Sequence, residues 1–176
     1  TMDLRQRLGR DAASRFLNSY LAISADFDGL ALLKLYEVYR ALVRAKIAAI
    51  RFCQLETENP ERETVSQELD AYLELAAELT LPQQGAIVMM RGVSGSGKSF
   101  IAQQISDRLP AISVRSDVER KRLLGLSATA DASLAGGYDE NITKATYAQL
   151  VGITEQVSAA GYVVVVDATF LKRSQR

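Results

Sequence analysis

The sequence predicts an α/β fold, in which an all-α segment precedes a parallel sheet with crossover helices that is incomplete in this stretch of chain. Residues 1–80 repeat apolar side chains at helical spacing and show no strand pattern. From residue 86, short apolar runs alternate with helical patterns, as in parallel sheets. Between the first run and its helix, residues 92–99 read Gly-Val-Ser-Gly-Ser-Gly-Lys-Ser, a complete G-x-x-x-x-G-K-S phosphate-binding loop.

The helical segment, residues 1–80, is divided by turn signals. Gly9, the turn at 26–29 and Asn59-Pro60 separate its pieces, and residues 81–85 form the predicted linker. Apolar residues recur at i, i+3, i+4 and i+7, so we expect them to form the inward faces of amphipathic helices. They are Leu4, Leu8, Phe16, Tyr20, Ile23, Leu32, Leu35, Tyr36, Tyr39, Val43, Ile47 and Ile50, then Val65, Leu69, Tyr72, Leu73 and Ala76.

The second domain, residues 86–176, reads strand, loop, helix, strand, helix, helix, strand. The first strand, 86–91, is apolar enough to be buried on both faces, and Ile101, Ile105 and Leu109 mark the helix after the loop. The other predicted elements are a strand at 111–115, a short helix begun by a Ser116–Glu119 capping box, a helix at 139–160 and a strand at 162–166. A sheet normally has about five strands, and only three are predicted here. We therefore expect the sequence to be part of a longer protein.

The amino-acid composition limits the partners and the catalytic groups that these residues can provide. Lysine plus arginine equals aspartate plus glutamate at 21 each, so no overall field attracts nucleic acid or acidic membranes, although an oligonucleotide end stays possible as a partner. Histidine is absent, which excludes histidine-dependent nucleophiles and bases within these residues. The single cysteine, Cys53, cannot form an internal disulfide. No stretch approaches the roughly 20 apolar residues of a membrane span, so we expect no membrane partner and a cytoplasmic location.

The phosphate-binding loop predicts a site for ATP. Its glycines let backbone N–H groups turn toward phosphate oxygens, and the following helix adds the partial positive charge of its N-terminus. Lys98 is expected to reach the β- and γ-phosphates and act in catalysis, and the Ser99 hydroxyl is expected to hold Mg²⁺. The predicted nucleotide-binding residues are Gly92, Val93, Ser94, Gly95, Ser96, Gly97, Lys98, Ser99 and Phe100.

Two aspartates follow predicted strands, where open α/β sheets place their ligands. Asp167 is expected to complete the Mg²⁺ shell; the alternative is an aspartate that only begins a turn. Asp117 is positioned to accept the proton of an attacking hydroxyl, but an aspartate in the first turn of a helix is also favoured by capping and by the helix dipole. Arg115 and Arg120 are candidate substrate-side residues, against the alternative of a solvated cationic run.

Residues 85–176 resemble the predicted-kinase branch of the phosphate-loop ATPases. The resemblance is carried by the loop, by Arg115-Ser-Asp-Val-Glu-Arg-Lys-Arg122 and by the Val-Asp-Ala-Thr after the third strand. That branch is similar to polynucleotide 5′-hydroxyl kinases and to small-metabolite kinases such as gluconate kinase. The resemblance implies that Asp117 is the acceptor-activating base, Arg115 a substrate-side residue and Asp167 the magnesium-shell acid. Phe100 departs from the small residue or leucine that is commoner after Lys-Ser.

Residues 3–53 resemble the final helices of an aminoglycoside-phosphotransferase-like lobe. The segments that carry this resemblance are Phe16-Leu-Asn-Ser-Tyr20, the turn at 28–30 and Tyr36 to Lys46. Together the two halves resemble bacterial proteins described as bifunctional aminoglycoside phosphotransferase and ATP-binding protein. The His-x-Asp that such a lobe needs for catalysis is absent from these residues.

Three functions remain open at this stage. The leading prediction is a kinase that transfers the γ-phosphate of Mg²⁺·ATP to a hydroxyl of a small molecule. The alternatives are a regulatory or coupling ATPase, and a nucleotide-sensing module without turnover. The kinase and the coupling ATPase differ in their need for Asp117: a kinase requires this carboxylate for transfer, and a coupling ATPase does not.

Overall fold

The computed structural model describes residues 1–127, 130–131, 137 and 139–175. The small and polar residues of 125–137 predict a loop, and about half of that stretch lies outside the described residues. The chain divides into two compact units: a helical unit of Thr1–Ala13 and Gly29–Pro82, and a sheet unit of Ser14–Asp28 and Gln83–Arg176. Among the described residues, no helix combines the length and the apolar character needed to cross a membrane.

The helical unit contains α1 (Met2–Leu8), α3 (Leu30–Gln54) and α4 (Glu61–Thr80). Helix α2 (Arg10–Ser24) begins in this unit's residue range. The core forms where an alanine face of α3 meets apolar side chains of α4, and small side chains let two helices approach closely. Its buried residues are Met2, Ala41, Ala45, Tyr72, Leu75, Ala76 and Leu79.

The apolar faces predicted for the first helices are wrong in part. Tyr36 and Tyr39 are 61% and 62% exposed, and the other large apolar residues of α3 that are exposed are Leu32, Leu35, Leu42, Ile47 and Ile50. Leu8, Phe16, Tyr20 and Ile23 are exposed as well. Helix α3 instead buries Ala41, Ala45 and Ala48. The prediction for α4 holds for Val65, Tyr72 and Ala76, which are buried, whereas Leu73 is exposed.

The sheet unit confirms the predicted α/β class. Three parallel strands lie in the order β1 (Ala86–Met90), β3 (Val163–Asp167), β2 (Ala111–Arg115). The helices are α5 (Lys98–Arg108), α6 (Ser116–Leu123) and α7 (Glu140–Ala159), and a 3₁₀ turn covers Arg173–Gln175. Helix α5 packs on the sheet through Ala102 and Ile105. Helix α7 starts where Asp139 accepts a hydrogen bond from the Asn141 N–H at 2.8 Å.

Strand β1 is not buried on both faces as its sequence predicts. It is an edge strand of the described sheet, and Ile87 and Met89 are about half-exposed. The central strand is instead β3, whose Val164, Val165 and Val166 are fully or almost fully buried. An apolar run is therefore compatible with both positions, and strand order distinguishes them.

The compact units do not follow the predicted boundary at residue 80, because residues 14–28 group with the sheet unit. A polar contact joins them to β2, at the outer edge of that strand in the described sheet. The Asn18 amide donates to the Ala111 carbonyl at 2.9 Å and accepts from the Ser113 N–H at 2.7 Å. One side chain thus provides the donor and the acceptor that a neighbouring strand would otherwise supply.

Candidate functional site

The carboxyl ends of the three strands bring the candidate residues to one edge of the sheet. Met90, Asp167 and Arg115 stand at the same level of the register, on β1, β3 and β2 respectively. The phosphate loop follows β1, and Asp117 follows β2. Because β3 lies between these strands, Asp167 stands between the loop and the segment that carries Asp117. This is the edge at which open α/β sheets bind ligands.

The phosphate loop has the backbone that its glycines permit. Gly95 and Gly97 have φ angles of 77° and 81°, in the left-handed region where other residues are strained. Helix α5 begins at Lys98, directly after Gly97, so its N-terminal N–H groups face the loop. The Lys98 ammonium group donates to the Val93 carbonyl at 2.5 Å and lies 3.4 Å from the Ser96 hydroxyl. The loop therefore curls around the ammonium group.

Ser99 and Asp167 lie together, as expected if both belong to one Mg²⁺ site. The Ser99 hydroxyl donates to the Asp167 carboxylate at 2.5 Å, and Asp167 is only 6% exposed. A hydroxyl and a carboxylate oxygen are hard oxygen donors of the kind Mg²⁺ prefers. Mg²⁺ in phosphate-binding sites needs only one or two protein ligands, since waters and phosphates complete its shell. This pair of side chains fits the ion.

Asp117 is held by an ion pair and not by a cap. The Lys121 ammonium lies 3.0 Å from the Asp117 carboxylate, one turn further along α6. The predicted capping box is wrong: α6 has no side-chain hydrogen bond at its N-terminus, and Glu119 is buried beside Arg122. Capping therefore does not account for Asp117, which does lie in the first turn of α6, where the helix dipole favours an acidic residue. Its half-exposed carboxylate lines a pocket together with Lys98.

The arginines near Asp117 have separate environments. The Arg115 Nε lies 3.8 Å from the Asp167 carboxylate, at the level of the strand ends. Arg120 is only 8% exposed and lines the same pocket, so it does not belong to a solvated cationic run. Arg122 pairs with the buried Glu119 and also donates to the Ala22 carbonyl at 2.7 Å, near the end of α2. Arg115 and Arg120 thus line the pocket, whereas Arg122 is paired with Glu119 and with the end of α2.

A pocket of about 600 Å³ is lined by most of the predicted site residues. Its lining includes these predicted residues: Ser94, Gly95, Gly97, Lys98, Ser99, Phe100, Arg115, Asp117, Arg120 and Asp167. Gly92, Val93 and Ser96 belong to the loop but are not part of this lining.

Sequence reasoning missed the far wall of the pocket, which comes from α7 and from the segment after β3. Thr143, Tyr147, Ala168, Thr169 and Gln175 line it. Thr169 is the last residue of the Val-Asp-Ala-Thr motif that carried the family resemblance, so that motif could have identified it as a site residue. No sequence pattern identified Tyr147 as a site residue, because its helical spacing indicates only a packed helix face.

Curated relatives with detectable similarity are uncharacterized proteins. One is from Mycobacterium bovis and two are from strains of Mycobacterium tuberculosis, each 26% identical over 172 residues. The match covers 96% of this chain and 33% of each relative, so the chain spans about a third of their length. No solved structure matches the chain. These relatives carry no stated activity, so the resemblance of residues 3–53 to an aminoglycoside-phosphotransferase-like lobe stays a prediction.

A protein-family model matches the second half of the chain and assigns that half to a family. It is described as an AAA domain and matches residues 87–176, a stretch that holds the three-stranded sheet, the phosphate loop and both site aspartates. The match covers just over half of the chain, and its residues are those that form the pocket edge of the sheet. The chain therefore belongs to the AAA_33 family of AAA domains, a family of phosphate-loop nucleotide-binding domains.

Proposed function

We propose that this domain is a kinase that transfers the γ-phosphate of ATP to a hydroxyl group of a small molecule. The observation that carries the proposal is one pocket lined by Lys98, Ser99 and Asp167 on the nucleotide side and by Asp117 on the other. A kinase needs donor-binding groups and a carboxylate base around one space, because the transferred phosphoryl group is attacked in line.

The chain's own residues divide the chemistry between them. Lys98 and the loop N–H groups bind the phosphates, and Ser99 and Asp167 hold the Mg²⁺ that neutralises phosphate charge when it is bound. The Asp117 carboxylate accepts the proton of the acceptor hydroxyl while that oxygen bonds to the γ-phosphorus. The bond from phosphorus to the β–γ bridging oxygen breaks, and ADP leaves with that oxygen.

Lys121 and Arg120 support this assignment of roles. The Lys121 ammonium lies 3.0 Å from the Asp117 carboxylate and fixes that carboxylate at the wall of the pocket. Arg120 places a largely buried positive charge in the wall beside Asp117, and Arg115 adds a second charge at the end of β2. We propose both arginines as substrate-side residues that contact the acceptor or the phosphoryl group in transfer.

The test follows the label of γ-labelled ATP in the full chain with Mg²⁺, with and without a panel of hydroxyl acceptors. We expect label on an acceptor, its loss in Lys98→Ala, and a fall of at least about 100-fold in Asp117→Asn, the contribution typical of a general base. Asp70→Asn, an exposed aspartate of α4, is the matched control.

Other outcomes decide between the remaining functions. Label released only as inorganic phosphate, unaffected by Asp117→Asn, would replace the kinase by a coupling ATPase. Binding without any release of label would indicate a nucleotide-sensing module. Unchanged triphosphate affinity in Lys98→Ala, measured by calorimetry, would remove the site assignment itself.

A further inference from the structure

The segment after β3 is held by one side chain of α7. The Tyr147 hydroxyl lies 3.0 Å from the Thr169 hydroxyl and accepts a hydrogen bond from the Phe170 N–H at 3.2 Å. The two rings pack edge to face with centroids 5.5 Å apart. Phe170 has a φ of 45°, a conformation that is strained for a residue with a side chain and that persists only where the surroundings enforce it. Tyr147 contributes to that enforcement through its hydroxyl and its ring.

The same segment touches the phosphate loop. The Gly92 N–H donates to the Thr169 carbonyl at 3.3 Å, so Thr169 links the start of the loop to the segment that Tyr147 holds. Two residues earlier, Asp167 contacts Ser99. The backbone around Thr169 is therefore anchored to the phosphate loop, and the Thr169 side chain, which contacts Tyr147, lines the pocket.

The hydrogen bonds also orient the Thr169 hydroxyl. A phenol oxygen that already accepts from the Phe170 N–H is best satisfied by donating its own hydrogen, and the acceptor within reach is the Thr169 oxygen. The threonine oxygen then accepts from Tyr147, and its own hydrogen is available to a group in the pocket. That arrangement leaves the Thr169 hydroxyl as a donor toward the ligand.

Strand order indicates which ligand group Thr169 meets. Strand β3 lies between β1, which leads into the phosphate loop, and β2, which leads to Asp117. A phosphoryl group that passes from the nucleotide toward Asp117 therefore passes over the end of β3, where Thr169 stands. We propose that the Thr169 hydroxyl, oriented by Tyr147, donates a hydrogen bond to the terminal phosphate of the bound triphosphate. This inference rests on the proposed function.

The experiment compares the affinities for ADP and for the β,γ-imido analogue of ATP, both with Mg²⁺, by calorimetry on the full chain. Thr169→Val removes the hydroxyl and keeps the shape, and we expect it to weaken the triphosphate about tenfold while ADP changes less than about twofold, the loss typical of a hydrogen bond to a charged group. Thr169→Ser should restore the triphosphate affinity. Tyr147→Phe keeps the ring against Phe170 and should weaken the triphosphate selectively too.

Thr146→Val is the matched control. Thr146 precedes Tyr147 on α7, is fully buried, and donates to the Ile142 carbonyl within its own helix at 2.8 Å, so its loss should weaken neither nucleotide selectively. Equal weakening of both nucleotides in Thr169→Val would reduce Thr169 to a structural residue and overturn the proposal. So would an unchanged triphosphate affinity, or a failure of Thr169→Ser to restore it. An unchanged affinity in Tyr147→Phe would overturn the orienting role of Tyr147.

Lys98→Ala separates this inference from the proposed function. One set of results defeats only the Thr169 inference: the wild-type chain binds the triphosphate, Lys98→Ala abolishes that binding, and Thr169→Val leaves it intact. If wild-type chain binds neither nucleotide, both fail.

Discussion

Replacing Asn18 with alanine should loosen the edge of the sheet unit at β2. The substitution removes the hydrogen bonds to the Ala111 carbonyl and from the Ser113 N–H, which measure 2.9 and 2.7 Å. Each such bond contributes about 1 kcal/mol net, so the free energy of opening at this edge should fall by about 2 kcal/mol. The loss would be larger if the two backbone groups stayed out of contact with water.

Amide hydrogen exchange measures this directly, because Ser113 donates its N–H to Asn18. A loss of about 2 kcal/mol corresponds to roughly 30-fold faster exchange at Ser113. Asn18→Asp keeps an oxygen for the Ser113 N–H but turns a carboxylate toward the Ala111 carbonyl, so it should protect Ser113 only in part. Exchange at the central strand β3 should change less, because the two hydrogen bonds that Asn18 makes to the sheet go to β2.

Asn141→Ala is the control, since Asn141 is an exposed residue at the start of α7. Ser113 exchange that is the same in wild type and Asn18→Ala would refute the reasoning. An equal acceleration in Asn141→Ala would also refute it, because the effect would then be a general loss of stability and not the loss of an edge contact.

Two further substitutions test the charges of each unit. Arg122→Ala leaves the carboxylate of Glu119, 2% exposed, without its guanidinium partner and should lower the free energy of unfolding of the sheet unit by about 3 kcal/mol in a urea titration. A loss below about 1 kcal/mol would contradict that pairing. In the helical unit, desolvation lowers the pKa of Lys34 from 10.5 and Glu37 partly opposes the shift, so the charged form is disfavoured in the folded state. Lys34→Met should therefore stabilise the chain at pH 7, and this advantage should shrink as pH rises from the lowered pKa toward 10.5. Urea titrations at several pH values measure it, and an advantage that is constant with pH would contradict the assignment.

Local sequence predicted the parts of the site that local chemistry controls. The loop at 92–99 needs its glycines at those positions, and Asp167 at a strand end must lie near Ser99 because parallel strands end at one edge. The same local reasoning was wrong for the Ser116–Glu119 capping box. Glu119 forms a buried ion pair with Arg122 instead, and such a pairing depends on what surrounds the helix.

Hydrophobic periodicity was a weaker guide to the packing of the first helices. It assigned the inward face of α3 to large residues such as Tyr36 and Tyr39, but the buried face contains Ala41, Ala45 and Ala48. Periodicity identifies an apolar stripe without saying which part of it meets a neighbour. Close approach of α3 and α4 favours the smallest side chains, and that is a property of the pair of helices.

The sequence by itself determined the α/β class, the phosphate-binding loop and the pair Ser99 and Asp167, because each depends on residue type and short spacing along the chain. Only the tertiary structure decided that Asn18 covers the edge of β2, 93 positions away from Ala111, and that Tyr147 holds Thr169 at the pocket. Both contacts join side chains to backbone or side-chain groups of distant elements. Their partners are brought together by strand order and helix packing, which no local pattern records.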